Sequence, residues 1–337
     1  MMKLQVRRCC NLQSNADKSQ ALRRKRLKIN NYMVYAVFAL TLLFFAVWLG
    51  GTFFSVTNIL NITRQTAMVS VMAVAMVFVI ASGNIDLSVG STVALTSLVV
   101  ALVLQNTGNI LLAVATGVLI GALIGLVNGL LITKVGIPSF LATLGVGGVV
   151  KGTAMWVTNT AAVPITNPTF NNIFGLGTIL GIPTLFLWTI GVMLVGHYAL
   201  NYMGFGKKVL AVGGNSVSAK YTGIKIDRIT TNVMILSSVS AVLAGLLYSG
   251  RMQAARYTFG EGDELNVIAA VILGGTSMAG GKGSVIGAVV GSLLMGTINN
   301  GLIIGGLSVS QQVIVRGAII VLAVGIGTIT NRYAKSN

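Results

Sequence analysis

The sequence predicts an all-α, polytopic membrane protein of about ten transmembrane helices with both termini in the cytoplasm. Of its 337 residues, 54% are hydrophobic and only 9% charged, and the mean hydropathy is +0.86. A soluble domain keeps about a quarter of its residues charged, so most of this outer surface must face lipid. The 42 Gly residues against 4 Pro suit helices whose backbones approach closely in a bilayer. The basic residues also segregate to one side of the apolar runs, as a multi-pass topology requires.

Residues 1–31 form a basic tail. Lys3, Arg7, Arg8, Lys18, Arg23, Arg24, Lys25, Arg26 and Lys28 all precede the first apolar run. The net charge of +17 therefore marks orientation and contact with anionic lipid rather than nucleic-acid binding. Cys9 and Cys10 lie in the same tail, where adjacent thiols suggest neither a disulfide framework nor a metal site. The run from Tyr32 to Leu49 is too long for a signal-peptide core and reads as a retained first helix.

A crossing needs about 20 mostly apolar residues. Ten such segments are expected within a transmembrane domain of residues 32–330: 32–50, 64–82, 87–105, 110–133, 138–158, 183–203, 229–250, 265–281, 284–304 and 310–330. A short tail, 331–337, follows. With the N-terminus inside, the tail residues join Lys134, Lys207, Lys208, Lys220, Lys225, Arg228, Lys282, Arg332 and Lys335 on the cytoplasmic side. Only Arg251 and Arg256 fall outside, while Arg64, Lys151 and Arg316 lie within spans. A missed helix would invert everything downstream, so this asymmetry supports the count.

Two connections exceed a tight turn. Asn159 to Pro183 is external and uncharged; Asn201 to Arg228 is internal and basic. In the internal one, Gly213 and Gly214 permit a sharp turn and Asn215 is a good N-cap. Ser216 to Tyr221, including Ala219, then forms a short helix that Gly223 ends. Such a helix can carry force between a soluble motor and the membrane spans.

The stretch "GGTSMAGGKGS" imitates a phosphate-binding loop, but its spacing fails. From Gly275, Gly281 stands where the motif needs Lys; aligning Lys282 puts Gly283 at the hydroxyl position. It reads as a tight internal turn, and the chain is expected to bind no ATP. No catalytic cluster, paired acid or metal-ligand spacing is present. Asp86, in "ASGNIDLSVGS", is the one acidic residue between Asp17 and Asp227, and a carboxylate at bilayer centre costs about 2.5–3.5 kcal/mol. Three explanations stand open. Asp86 or Ser88 caps span three; Asp86 pairs with Arg316 or Lys151; or Asn84, Asp86 and Ser88 touch substrate in a translocation pathway.

"SGNIDLSVGS", "VGIPSFLATLG", "AVGGNSVSAKYTGI" and "DELNVIAAVILGGTSMAGGKGSVIGAVVG" followed by "NNGL" together resemble the ribose-type sugar permeases of bacterial ABC importers, over about residues 35 to 330. The chain differs at Asn84, where these permeases usually carry Gly, and at Asn266, where Asp is common. The resemblance implies an inner-membrane subunit that is not itself an enzyme. It would import ribose or a similar monosaccharide by alternating access. Its partners would be a second permease copy, a cytoplasmic ATPase that holds ATP and Mg, and a periplasmic or extracellular sugar-binding protein. The Asn215–Gly223 helix would be the coupling helix. External loops bearing Arg251, Arg256, Glu261, Asp263 and Glu264 would meet the binding protein. A gradient-driven sugar carrier, or the same architecture serving autoinducer-2, a polyol or a nucleoside, is the alternative.

Overall fold

The computed structural model describes residues 34–319, 321 and 325. The basic tail, with Cys9 and Cys10, lies outside the described residues, as do Arg332, Lys335 and most of the expected last span beyond residue 319. Among the described residues, eight helices are long and apolar enough to cross a membrane. They are α1 (Val34–Thr52), α2 (Val56–Ala81), α3 (Val89–Thr107), α4 (Ile110–Val135, closing in a π-helical turn), α5 (Ser139–Thr158), α7 (Thr184–Asn201), α10 (Ile226–Met252) and α12 (Val285–Ile304). Between them come short helices: α6 (Pro168–Asn171), α8 (Gly204–Gly214), α9 (Ser216–Tyr221) and α11 (Asp263–Leu273). Residues 309–319 begin a further helix.

The expected eighth span differs from its prediction. Residues 265–281 are not one crossing helix, because α11 holds 11 residues and reaches about 16 Å at 1.5 Å per residue. Gly274 and Gly275 stop it, with Gly275 at φ +90. The apolar run continues past that stop, so hydropathy alone overestimates the helix.

α2 occupies the centre, with nearly every residue from Thr66 to Ala81 buried. It packs on α7, α10, α11 and α12. Two polar pairs tie it to α12: the amides of Asn58 and Asn300 donate to each other at 3.0 Å, and Ser70 and Ser292 share a 2.6 Å bond. α4 lies antiparallel against α10 through Gly117, Gly121, Gly125 and Gly129, one glycine per turn. A Cβ at Gly125 would sit 2.5 Å from the Ile235 Cα, so the spacing allows backbone-to-backbone contact that no larger residue permits.

The external connection folds over the outer ends. β1 (Val163–Pro164) pairs antiparallel with β4 (Ala254–Ala255), and a hairpin joins β2 (Thr178–Ile179) to β3 (Ile182–Pro183). Gln105 at the outer end of α3 donates to the Pro164 carbonyl at 2.7 Å.

Replacing Gly125 by Leu is expected to overpack the α4–α10 contact and cost about 1–3 kcal/mol, seen as a lower melting temperature in detergent. Gly148→Ala, on the open face of α5, is expected to keep or raise the melting temperature, by at most about 1 kcal/mol.

Candidate functional site

α2 stops at Ala81 because Gly83 adopts φ +86, and its amide turns back to the Ile80 carbonyl. The chain then has neither helix nor strand from Asn84 to Ser88 before α3 begins. Such a backbone inside a bundle has no ladder of its own, and its polar groups need partners. α5 provides them one turn apart: the Ile85 amide donates to Ser139 Oγ at 3.1 Å and the Leu87 amide to Thr143 Oγ1 at 3.0 Å.

Asp86 closes the break. Its Oδ1 accepts from the Ser88 amide at 2.9 Å and from Ser88 Oγ at 2.6 Å, and Ser88 Oγ in turn accepts from Asn128 Nδ2 of α4 at 2.8 Å. All three residues are fully buried. This turn places the carboxylate near the positive end of the α3 dipole, but neither the Asp86 nor the Ser88 side chain accepts a bond from a first-turn amide of α3, so the capping explanation is met only in its dipole part. Ser237 of α10 approaches the same carboxylate, but Asp86 Oδ2 and Ser237 Oγ close no hydrogen bond. The ion-pair explanation is corrected: Lys151 pairs with Glu261 at 2.7 Å, and the charge of Arg316 acts on Asp263 and Tyr248. In this conformation Asp86 and Ser88 present no surface to a substrate. Asn84 is half-buried and donates to Ser82 Oγ at 3.0 Å.

A second break faces the first. After α10 the chain passes β4 and descends through Gly260 (φ +77) and Gly262 (φ +78) into α11. Gly90, in the first turn of α3, abuts the Gly260 carbonyl and the Glu264 carboxylate so closely that a Cβ has no room. The N-termini of α3 and α11 therefore meet head to head inside the bundle. α3 runs outward from the junction, and α11 runs inward to a turn whose Gly281 amide donates to the Ala81 carbonyl at 2.9 Å. Asp86 serves one N-terminus, while Asp263 and Glu264 occupy the first turn of the other. Tyr248 donates to Asp263 Oδ2 at 2.5 Å.

The residues expected on external loops thus separate. Arg256 and Glu261 are exposed. Arg251 is half-buried and donates to the Arg64 carbonyl at 3.4 Å. Asp263 and Glu264 are corrected: both belong to α11, with Asp263 buried and Glu264 wedged against α3. Sequence reasoning missed Asn128, Ser139, Thr143 and Gly90, which no local pattern connects to Asp86.

At the inner face α9 matches its predicted bounds. Asn215 Oδ1 accepts from the Ser218 amide at 3.0 Å, and Gly223 ends the helix at φ +82. Ser216 opens it, Ala219 is its buried contact, and Val217 and Tyr221 project outward at 63% and 87% exposure. Gly213 and Gly214 do not form the expected sharp turn. They end α8, and Gly213 instead lets that helix pack against the Ala81 carbonyl and the Gly281 amide.

Comparison with known proteins matches residues 58–324 to the family described as the permease component of the branched-chain amino acid transport system. A ribose import permease protein of Escherichia coli K12 is 40% identical over 280 residues, covering 82% of this chain and 87% of that protein. Its counterpart in Bacillus subtilis 168 is 39% identical, covering 82% and 86%. A D-allose transport system permease protein of E. coli K12 is 32% identical, covering 94% and 98%. No solved structure matches the chain.

Thr143→Val keeps the shape of α5 but strands the Leu87 amide, at an expected cost of about 1–3 kcal/mol. Thr153→Val, on the exposed part of the same helix, is expected to stay within about 0.5 kcal/mol. Melting temperatures of the two variants in detergent make the comparison.

Proposed function

The chain belongs to the permease family of ABC import systems, and from that premise we propose that it carries a monosaccharide, ribose or a sugar like it, across the bacterial inner membrane. The carrying observation is the 40% identity to a ribose import permease across 82% of this chain. The permease works with an ATPase and a binding protein on separate chains. ATP and Mg reside on the ATPase, and a second permease copy completes the pathway.

In this reading the ATPase docks on α9. Val217 and Tyr221 form an apolar pair one turn apart on its free face, and an exposed aromatic is the kind of anchor that fills a partner's pocket. The Gly213–Ala81 contact holds α8 to the end of α2, and α9 packs on α8. A movement of the motor therefore arrives at Ala81, five residues before Asp86. That is where the continuous helix gives way to the strapped segment, so displacement of α9 shifts the foot of α3 and rocks the bundle between facings. On the outer face, Arg256 is available to the binding protein, and Glu261 meets it when its pair with Lys151 opens. Arg251 and Glu264 join that contact, and Asn84 the pathway, only as they become exposed during the cycle.

The test is uptake of radiolabelled ribose by proteoliposomes that contain the chain, its ATPase and its binding protein, without an ion gradient. Uptake that requires internal ATP, with no competition from a branched-chain amino acid, supports the proposal. ATP hydrolysis with leucine uptake instead of sugar would move the substrate class. Uptake that follows an ion gradient and ignores ATP would make the chain a secondary carrier. Tyr221→Ala is expected to weaken ATPase association about 30-fold, the loss of a 2 kcal/mol anchor, and to lower ATP-driven uptake at limiting ATPase.

A further inference from the structure

The outward faces of the peripheral spans are not alike. α4 shows lipid-compatible side chains such as Leu111, Leu119 and Leu123. α5 turns Ala142, Thr143, Gly147 and Val150 inward, and its outward side carries Gly145, Gly148 and Gly152, each with open space where a Cβ would be, among the exposed Leu141, Leu144, Val149 and Trp156.

Lys151 stands beside this open face. Its side chain is 37% exposed, and the Glu261 side chain that it holds at 2.7 Å is 57% exposed. Lys151 is the thirteenth residue of α5, about 18 Å along the axis from Ser139 and about 10 Å short of Thr158. Gly147, one turn below, touches the Ser88 Cα. An accessible ion pair therefore sits well inside the length of a membrane-spanning helix. Lipid at that depth would penalise both charges and the exposed backbone of the descending loop, so this side of α5 faces water. The polar side continues toward the cytoplasm, where Gly83 is exposed and Asn84 half-exposed beside the foot of the same helix.

Glu261 belongs to the loop between β4 and α11. That loop is the part of the chain that enters from the outer surface and ends against Gly90 at the head-to-head junction. The salt bridge by which it holds α5 is this exposed pair, and exposed pairs are weak enough to open and close within a working cycle. We propose that the Lys151–Glu261 ion pair is the outer latch of a water-filled pathway along the open face of α5. Gly145, Gly148 and Gly152 leave room along that wall between its apolar side chains, and Lys151 is a positioning residue that holds the descending loop across its outer end. The proposal rests on the transport reading and adds to it the location of the pathway and its closure.

The test uses the complete complex in proteoliposomes, with Cys9 and Cys10 replaced by Ser. Single cysteines are placed above the pair (Trp156→Cys) and below it (Gly145→Cys). A charged, membrane-impermeant thiol reagent is applied from the binding-protein side. Trp156→Cys is expected to label readily. Gly145→Cys is expected to label slowly while the pair is intact and about tenfold faster with Glu261→Gln, a ratio that one coupling contact can supply. The reversed pair, Lys151→Glu with Glu261→Lys, is expected to restore slow labelling, which loss of folding would not do. Equal rates with and without the pair overturn the latch. A Gly145→Cys that excludes the charged reagent in every background, yet reacts with a lipid-soluble maleimide, overturns the water-lined face. Labelling needs neither sugar nor ATP, so a failure of ribose uptake counts against the transport reading alone.

Discussion

Backbone polar groups inside a bilayer must find their partners within the protein, and the breaks in this fold are organised by that constraint. α2 does not run on into α3. Between them lies an irregular segment in which the amides of Ile85, Leu87 and Ser88 would be unpaired without Ser139, Thr143 and Asp86. The partners come from α5 and from the segment itself, and Asn128 of α4 steadies Ser88 from the third side. One interruption thus fixes the relative positions of α2, α3, α4 and α5. It also gives a carboxylate in so apolar a chain its place: Asp86 bonds the Ser88 amide and hydroxyl and stands near the positive dipole end of α3.

The second interruption depends on the first. α11 can begin inside the bundle because α3 also begins there, and the two starts fit only because Gly90 and Gly260 lack side chains. Half-helices that meet within the membrane give a bundle places to bend without tearing long helices. The inner end of α2 links this region to the cytoplasmic surface through Gly213 and Gly281, so a short capped helix at the surface stands a few residues from the principal break. The transport reading draws its mechanical content from that adjacency.

Features made by neighbouring residues were legible in the sequence. Asn215 as cap, six helical residues and Gly223 as stop are a local code, and α9 follows it. Long apolar runs located the helices that are long enough to cross a membrane. What escaped were features made by distance or by backbone geometry. Asn128, Ser139 and Thr143 lie 40 residues or more beyond Ser88, Ile85 and Leu87, their partners. The stop at Gly274 hides inside an apolar run that hydropathy reads as continuous. α8 looks like loop in the sequence because its glycines, Gly213 and Gly214, suggest turning, whereas Gly213 serves close packing. The four-residue spacing of Gly117, Gly121, Gly125 and Gly129 was visible, but only the antiparallel course of α10 gives it meaning.

The most direct measurement is made on Asp86→Ala in the reconstituted complex, comparing its melting temperature with its KM for sugar uptake. If Asp86 builds the α2–α3 break, loss of its carboxylate strands the Ser88 amide and hydroxyl at about 1–3 kcal/mol. The melting temperature then falls, while the molecules that remain folded take up sugar with an unchanged KM. An unchanged melting temperature with KM raised tenfold or more would contradict this and make Asp86 a substrate contact.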